Sequence, residues 1–236
     1  MIKLKIKSKI IYFDEELHKF YDEEKKKILS VTECLGVLDK SNFLIPWAIG
    51  LMKDYLMEKI ENRESITKID IKEASLRHRK SKKEAADIGT KIHQWINRWI
   101  RNKHTKIPEE RKVRNGIIAF LEFQRKNKFQ WLESEKIVYS AKLNYAGILD
   151  AVAKTEDGLI LVDFKSSKNF YPEFNFQTAA YKFAYEEMTN KPINSRLIIR
   201  FDKETGEFEE KELSDKDYDN DIKIFESCKI IKTLSR

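Results

Sequence analysis

Residues 158–165 read Gly-Leu-Ile-Leu-Val-Asp-Phe-Lys. The run is apolar enough for a buried strand, yet it ends in two charges, Asp163 and Lys165. Two apart on a strand, they point to one face. A buried carboxylate and ammonium are costly unless they pair with each other or hold a metal. A sheet around such a strand, with a polar site at its end, is the arrangement this pattern asks for. The neighbouring segments can build it. Strands are expected at 129–140, 144–154 and 158–165, a helix near 173–189, then strands at 194–202 and 206–213. Ser214 is placed to cap a last helix reaching about residue 234.

Upstream the period differs. Lys3 to Phe13 alternates in period two, and His18-Lys19-Phe20-Tyr21 and Lys27-Ile28-Leu29 flank an acidic turn, so residues 1–29 read as strands. Ser30 and Glu33 fit a capping box. From there to about Lys128 the signals are helical. Helices are expected near 31–38, 42–61, 70–103 and 108–127, the third with a break at Ser81 and the fourth with Pro108 in its first turn. No linker separates two domains. The expectation is one domain over 1–236: N-terminal strands (1–29), a helical region (30–128), a catalytic sheet core (129–213) and a C-terminal helix (214–236).

Charge narrows the partner. There are 46 Lys+Arg against 39 Asp+Glu, a net of +7. Residues 202–221 carry −7, which leaves +14 on the rest. A body this basic suits a polyanion, most simply nucleic acid, although a solvated Lys-rich surface would look the same. No stretch approaches the roughly 20 apolar residues of a membrane span, and the N-terminus lacks a signal-peptide pattern. Two cysteines, Cys34 and Cys228, neither frame disulfides nor fill a four-cysteine metal site. The expected setting is intracellular and cytoplasmic, without a membrane partner.

The chemistry gathers around the charged strand end. Asp150, in Gly147-Ile148-Leu149-Asp150, closes the preceding strand. A hairpin about Asp157-Gly158 would bring it beside Asp163. Two carboxylates that close repel, and a divalent cation removes the repulsion. Two acids and a lysine suit metal-assisted phosphodiester hydrolysis, though an Asp-x-Lys tripeptide alone equally suits a salt bridge at a strand end. Gly89 and His93 share a helix face, as do Gln177 and Tyr181, four apart. His93 could be a neutral ligand or a phosphate contact. Gln177 and Tyr181 could bond a phosphate or orient the lysine. Each pair is also compatible with simple packing.

Taken in order, Gly89…His93, Gly147…Asp150, Asp163-Phe164-Lys165 and Gln177…Tyr181 resemble the motif series of the PD-(D/E)XK nuclease superfamily, in its RecB-type exonuclease branch. That branch includes phage exonucleases and the mitochondrial genome-maintenance exonuclease. Ser30-Val31-Thr32, Trp47-Ala48 and Ala85-Ala86-Asp87-Ile88-Gly89-Thr90 add to the likeness, which spans roughly residues 28–190. It implies an α/β, restriction-endonuclease-like mixed central sheet flanked by helices, with an N-terminal hairpin and helical region. It implies that Lys165, Asp163 and Asp150 are catalytic. His93, Asp150, Asp163 and the Phe164 carbonyl would hold Mg²⁺ or Mn²⁺. Relatives often carry a further acid on the preceding strand, which Glu135 matches. Glu133 shares its expected face, so the two are not separable here. Iron–sulfur members use four cysteines, so no such cluster is expected.

Gln177 and Tyr181 are candidate DNA contacts, together with Arg77, Arg79, Lys80, Lys82 and Lys83 in the basic segment 72–83, which carries +5. Trp95 and Trp99 suit the core or, if exposed, stacking on single-stranded bases. The expected function is a Mg²⁺- or Mn²⁺-dependent deoxyribonuclease, an exonuclease on single-stranded or end-containing DNA. The alternatives are a structure-selective endonuclease, or a binding module with an inactive nuclease fold. A helical cover making a channel for a threaded strand would favour the exonuclease. Oligomeric state is not readable.

Overall fold

The computed structural model describes residues 1–6, 9–102 and 104–235. Lys7 and Ser8 of the expected N-terminal strands, and Lys103 at the expected end of the third helix, lie outside it. The chain divides into two compact units, one of residues 1–37 with 92–236 and one of residues 38–91.

The first unit holds the sheet. Strands β1 (Ile2–Ile6) and β2 (Lys9–Asp14) pair antiparallel from Ile2↔Phe13 to Ile6↔Lys9, and β3 (Lys19–Tyr21) and β4 (Lys27–Ser30) continue the meander. Asp14 shapes the β2–β3 turn, its Oδ1 accepting from the amides of Glu16 and Leu17 at 3.1 and 3.0 Å. The period-two pattern puts Ile11, Phe13, Phe20 and Ile28 into one buried cluster with Tyr139 and Ala146. Ser30 ends β4 and starts the short helix α1 (Val31–Leu35) through the expected capping box with Glu33.

Antiparallel strands β5 (Gln130–Ser140), β6 (Tyr145–Thr155) and β7 (Gly158–Lys165) form the centre. Gly158 turns β6 into β7 at φ 120°, where a Cβ would fall 2.2 Å from the Asn194 amide oxygen, so no larger residue fits. Strand β8 (Ser195–Phe201) runs parallel to β7, and β9 (Phe208–Leu213) closes the edge antiparallel to it. Among the described residues nine strands form one sheet in the order β1-β2-β3-β4-β6-β7-β8-β9, with β5 on the other edge of β6. This is the mixed central sheet flanked by helices that the motif series implied. One feature differs from expectation. The N-terminal strands do not merely precede the core; β4 joins β6 in parallel at Leu29↔Tyr145 and Ser30↔Ala146.

Helices α4 (Arg111–Asn127), α5 (Pro172–Thr189) and α6 (Asp215–Leu234) belong to the same unit as the sheet. Helix α4 buries Val113, Ile117, Phe120 and Phe123. It starts later than expected. The first helical bond runs from the Arg114 amide to the Glu110 carbonyl at 2.8 Å, which leaves Pro108 in the preceding loop. Tyr145 anchors α5 by donating its hydroxyl to the Ala180 carbonyl at 2.7 Å.

The second unit is helical. Helix α2 (Ser41–Glu61) lies beside the first part of α3 (Lys68–Asn102). The Tyr55 hydroxyl donates to Glu73 at 2.9 Å, Lys59 meets Asp70 at 3.0 Å, and the Arg77 guanidinium sits 4.1 Å over the Tyr55 ring. Helix α3 runs through Ser81 without the expected break. Lys, Glu and Ala around that position propagate a helix well, and a cap needs a backbone turn that they do not provide. Among the described residues no helix is long and apolar enough to cross a membrane.

Candidate active site

Three acids stand abreast on three adjacent strands. The β6–β7 ladder ends at Ala151↔Val162, so Asp150 and Asp163 are the next facing pair. On the other side, Ser134↔Ala151 and Lys136↔Leu149 bracket Glu135 opposite Asp150. Facing like charges destabilise a sheet, so this row requires compensation. Asp150 receives two partners. Its Oδ2 accepts the Phe164 amide at 2.7 Å, and its Oδ1 lies 3.5 Å from Nδ1 of His93 on α3.

Asp163 is less well served. It is 1% exposed, and Lys165 Nζ stands 2.6 Å from its Oδ2. Lys165 is the cation held against this buried carboxylate. Lys165 is also aimed by Gln177, whose Oε1 accepts from Nζ at 3.1 Å, and by the Phe174 ring 4.7 Å away. The Gln177 amide in turn donates to the Tyr181 hydroxyl at 3.2 Å. Tyr181 is 4% exposed and stands behind Gln177. Gly147 makes room for it. A Cβ there would lie 2.6 Å from Tyr181 Cε1 and 3.1 Å from Val31 Cγ2.

Glu133 and Glu135 are separated by the structure. Glu133 pairs with Lys136 at 2.6 Å. Glu135 has a left-handed backbone, φ 46°, and its carboxylate accepts from the amide of Asn97. Asn97 also accepts from the Ser134 hydroxyl at 2.8 Å. His93, Asn97, Ser134, Glu135, Asp150 and Phe164 line one small depression. Asn97 and Ser134 were not foreseen. The available signal was the spacing of Asn97 one turn after His93, on the same helix face.

The charges interact strongly. Burial drives the Asp163 carboxyl up to about 6; Lys165 opposes this and Asp150 adds to it. Burial also raises Asp150, but His93, Lys165 and the Phe164 amide prevail and hold it below the usual carboxylate range. Burial works against a charged His93, yet Asp150 outweighs it and raises the imidazole. Burial and then Asp150 raise Glu135. One acid, Asp150, is thus held ionised by internal cations, while Asp163 and Glu135 remain unfavourable as charges.

The donor set fits a divalent cation. The Asp163 carboxylate is buried beside Asp150, with Lys165 against one of its oxygens, and hard cations take carboxylate oxygens. Among the described residues no three such donors already surround one point. Lys165 and His93 stand against the Asp163 and Asp150 carboxylates.

The remaining candidates lie elsewhere. Arg79, Lys80, Lys82 and Lys83 are exposed on α3 in the second unit, and Arg77, half-buried, stacks on Tyr55 there. Trp95 is 1% exposed and donates to the Lys106 carbonyl at 3.0 Å. Trp99 packs on the Phe120 ring at 5.2 Å between centroids. Both serve the core, and base stacking is not open to Trp95.

Residues 110–232 match the family model of the PD-(D/E)XK nuclease superfamily. This span contains every candidate above from Glu135 to Tyr181, while His93 lies outside it. Among solved structures, an inferred exonuclease from Eubacterium rectale is similar at 9% identity and TM-score 0.43, over 59% of this chain and 64% of that one. The chain therefore spans about two thirds of the length of that protein. LHK-Exo in complex with dAMP is similar at 8% identity and TM-score 0.42, over 88% of each chain. The alkaline exonuclease LHK-Exo from Laribacter hongkongensis is also similar, at 9% identity and TM-score 0.37, over 64% of this chain and 85% of that one. No curated protein sequence is detectably similar.

Proposed function

The chain belongs to the PD-(D/E)XK nuclease superfamily, and from that premise we propose a Mg²⁺- or Mn²⁺-dependent deoxyribonuclease of the RecB-type branch. It acts as an exonuclease on single-stranded DNA or DNA ends, in recombination, repair or replication. The observation that carries this reading is the buried pair of facing acids, Asp150 and Asp163, with Lys165 2.6 Å from the Asp163 carboxylate.

Asp150 and Asp163, with His93, Glu135 and the Phe164 carbonyl, would hold the cation. When bound it supplies positive charge at the phosphate and lowers the pKa of an attacking water. Lys165 contributes a compact ammonium, held at its tip by Gln177, that positions the water or the scissile phosphate. Tyr181 fixes Gln177. Arg77, Arg79, Lys80, Lys82 and Lys83 supply positive charge for the DNA backbone, contacts that carry no sequence information.

The exonuclease assignment rests on the motif series. Digestion of linear and covalently closed DNA, single- and double-stranded, tests it. Linear single strands are degraded fastest and closed circles resist. Closed single-stranded circles cut as fast as linear strands would make the protein an endonuclease.

A further inference from the structure

The helix face that carries His93 does more than present that residue. His93, Asn97 and Arg101 recur every four residues on α3, and each reaches the β5–β6 strands. His93 meets Asp150, Arg101 donates to the Ser134 carbonyl at 3.3 Å, and Asn97 takes both side chains between them. The chemistry of that last contact fixes its sense. A carboxylate only accepts, so the Asn97 NH₂ must face Glu135, which leaves its Oδ1 for the Ser134 hydroxyl. Both ends of the amide are thereby used.

Glu135 needs such a hold. It adopts a left-handed backbone in the middle of a strand, which a non-glycine residue keeps only when its surroundings impose it. It also faces Asp150, a like charge. Left to itself, its carboxylate would turn to solvent, away from Asp150.

We propose that Asn97 is a positioning residue, bridging Ser134 and Glu135 so that the Glu135 carboxylate stays in the depression beside Asp150 and His93. The inference rests on the metal-nuclease reading above. The bridge ties the helix bearing His93 to the strand bearing Glu135, so one amide sets the spacing of both toward the cation. Groups that orient ligands without touching the metal commonly change affinity or activity by about 10–100-fold when removed.

The test uses Mn²⁺ alone, titrated into the DNA-free full chain, with bound ion read by electron paramagnetic resonance. Asn97→Leu keeps the branched shape of the side chain and loses both hydrogen bonds. Its affinity for Mn²⁺ falls about tenfold, and it adds little to the loss caused by Glu135→Gln in the double variant. Ser134→Ala, a milder change that frees one end of the amide, weakens Mn²⁺ by a smaller factor and supplies the answer if Asn97→Leu does not fold. Wild-type affinity in whichever of the two variants folds overturns the proposal, as does full additivity with Glu135→Gln. If the unaltered protein binds no Mn²⁺, the metal reading falls and takes the proposal with it.

Discussion

The amide of Phe164 donates to the Asp150 carboxylate at 2.7 Å. One carboxylate oxygen of Asp150 is thus spent on holding β7 in place just after Asp163, while the other faces His93. The bond explains why the sheet stays ordered where two acids meet. It replaces a strand-to-strand contact at the point where the β6–β7 ladder stops.

Asp163 makes stability depend on pH. Its carboxyl titrates near 6 when folded, against an ordinary 3.8. Between those values the native state binds more protons than the unfolded one, so this group's contribution falls as pH rises from about 4 to about 6 and then stays low. The loss is on the order of 3 kcal/mol. Melting curves of the wild type and Asp163→Asn, without metal, should therefore diverge in the variant's favour across that window. A difference that does not change with pH would remove the burial penalty. Mg²⁺ should raise the wild-type melting temperature more at pH 8 than at pH 5.

Lys165 should not tolerate arginine. Its ammonium is enclosed by Asp163, Gln177 and the Phe174 ring and is 16% exposed. A planar guanidinium is longer and keeps its proton. Lys165→Arg should cleave nearly as poorly as Lys165→Ala, on the order of 10²-fold below wild type. Full activity in the arginine variant would reduce the lysine to an electrostatic anchor.

Gly147→Ala should damage the site from behind. The added Cβ meets the Tyr181 ring and Val31, and the displaced ring loosens Gln177 and then Lys165. Overpacking of this kind costs about 1–3 kcal/mol. The denaturant midpoint of unfolding and the cleavage rate should both fall. Normal cleavage in a folded Gly147→Ala protein would break the chain of contacts from Gly147 to the lysine.

The sequence carried the centre of this site because local rules govern it. Period-two patterning and the Asp157-Gly158 turn are enough to place Asp150 beside Asp163, and Lys165 follows two residues later. Glu135 escaped those rules. Its left-handed backbone breaks the strand alternation that makes Glu133 and Glu135 look equivalent. Asn97 and Ser134 escaped for another reason, since a polar residue on a helix face gains meaning only from the strand packed against it. The four-residue spacing of Gln177 and Tyr181 showed a shared face but not its depth, and Tyr181 is interior. The parallel pairing of β4 with β6 joins segments separated by the whole helical region, beyond the reach of any local pattern.

The central claim is that Asp150 and Asp163 hold a divalent cation that cleaves DNA. Its most direct test is digestion of end-labelled linear single-stranded DNA by the wild type, Asp150→Asn and Asp163→Asn, with Mg²⁺ or Mn²⁺ and with EDTA. Each asparagine removes one negative ligand while keeping the shape of the side chain, so DNA binding should persist and cleavage should drop by 10²-fold or more, on the order of what losing a charge-stabilising group costs. EDTA should stop the wild type altogether. Near-wild-type cleavage by either variant, or cleavage that survives EDTA, would contradict the account.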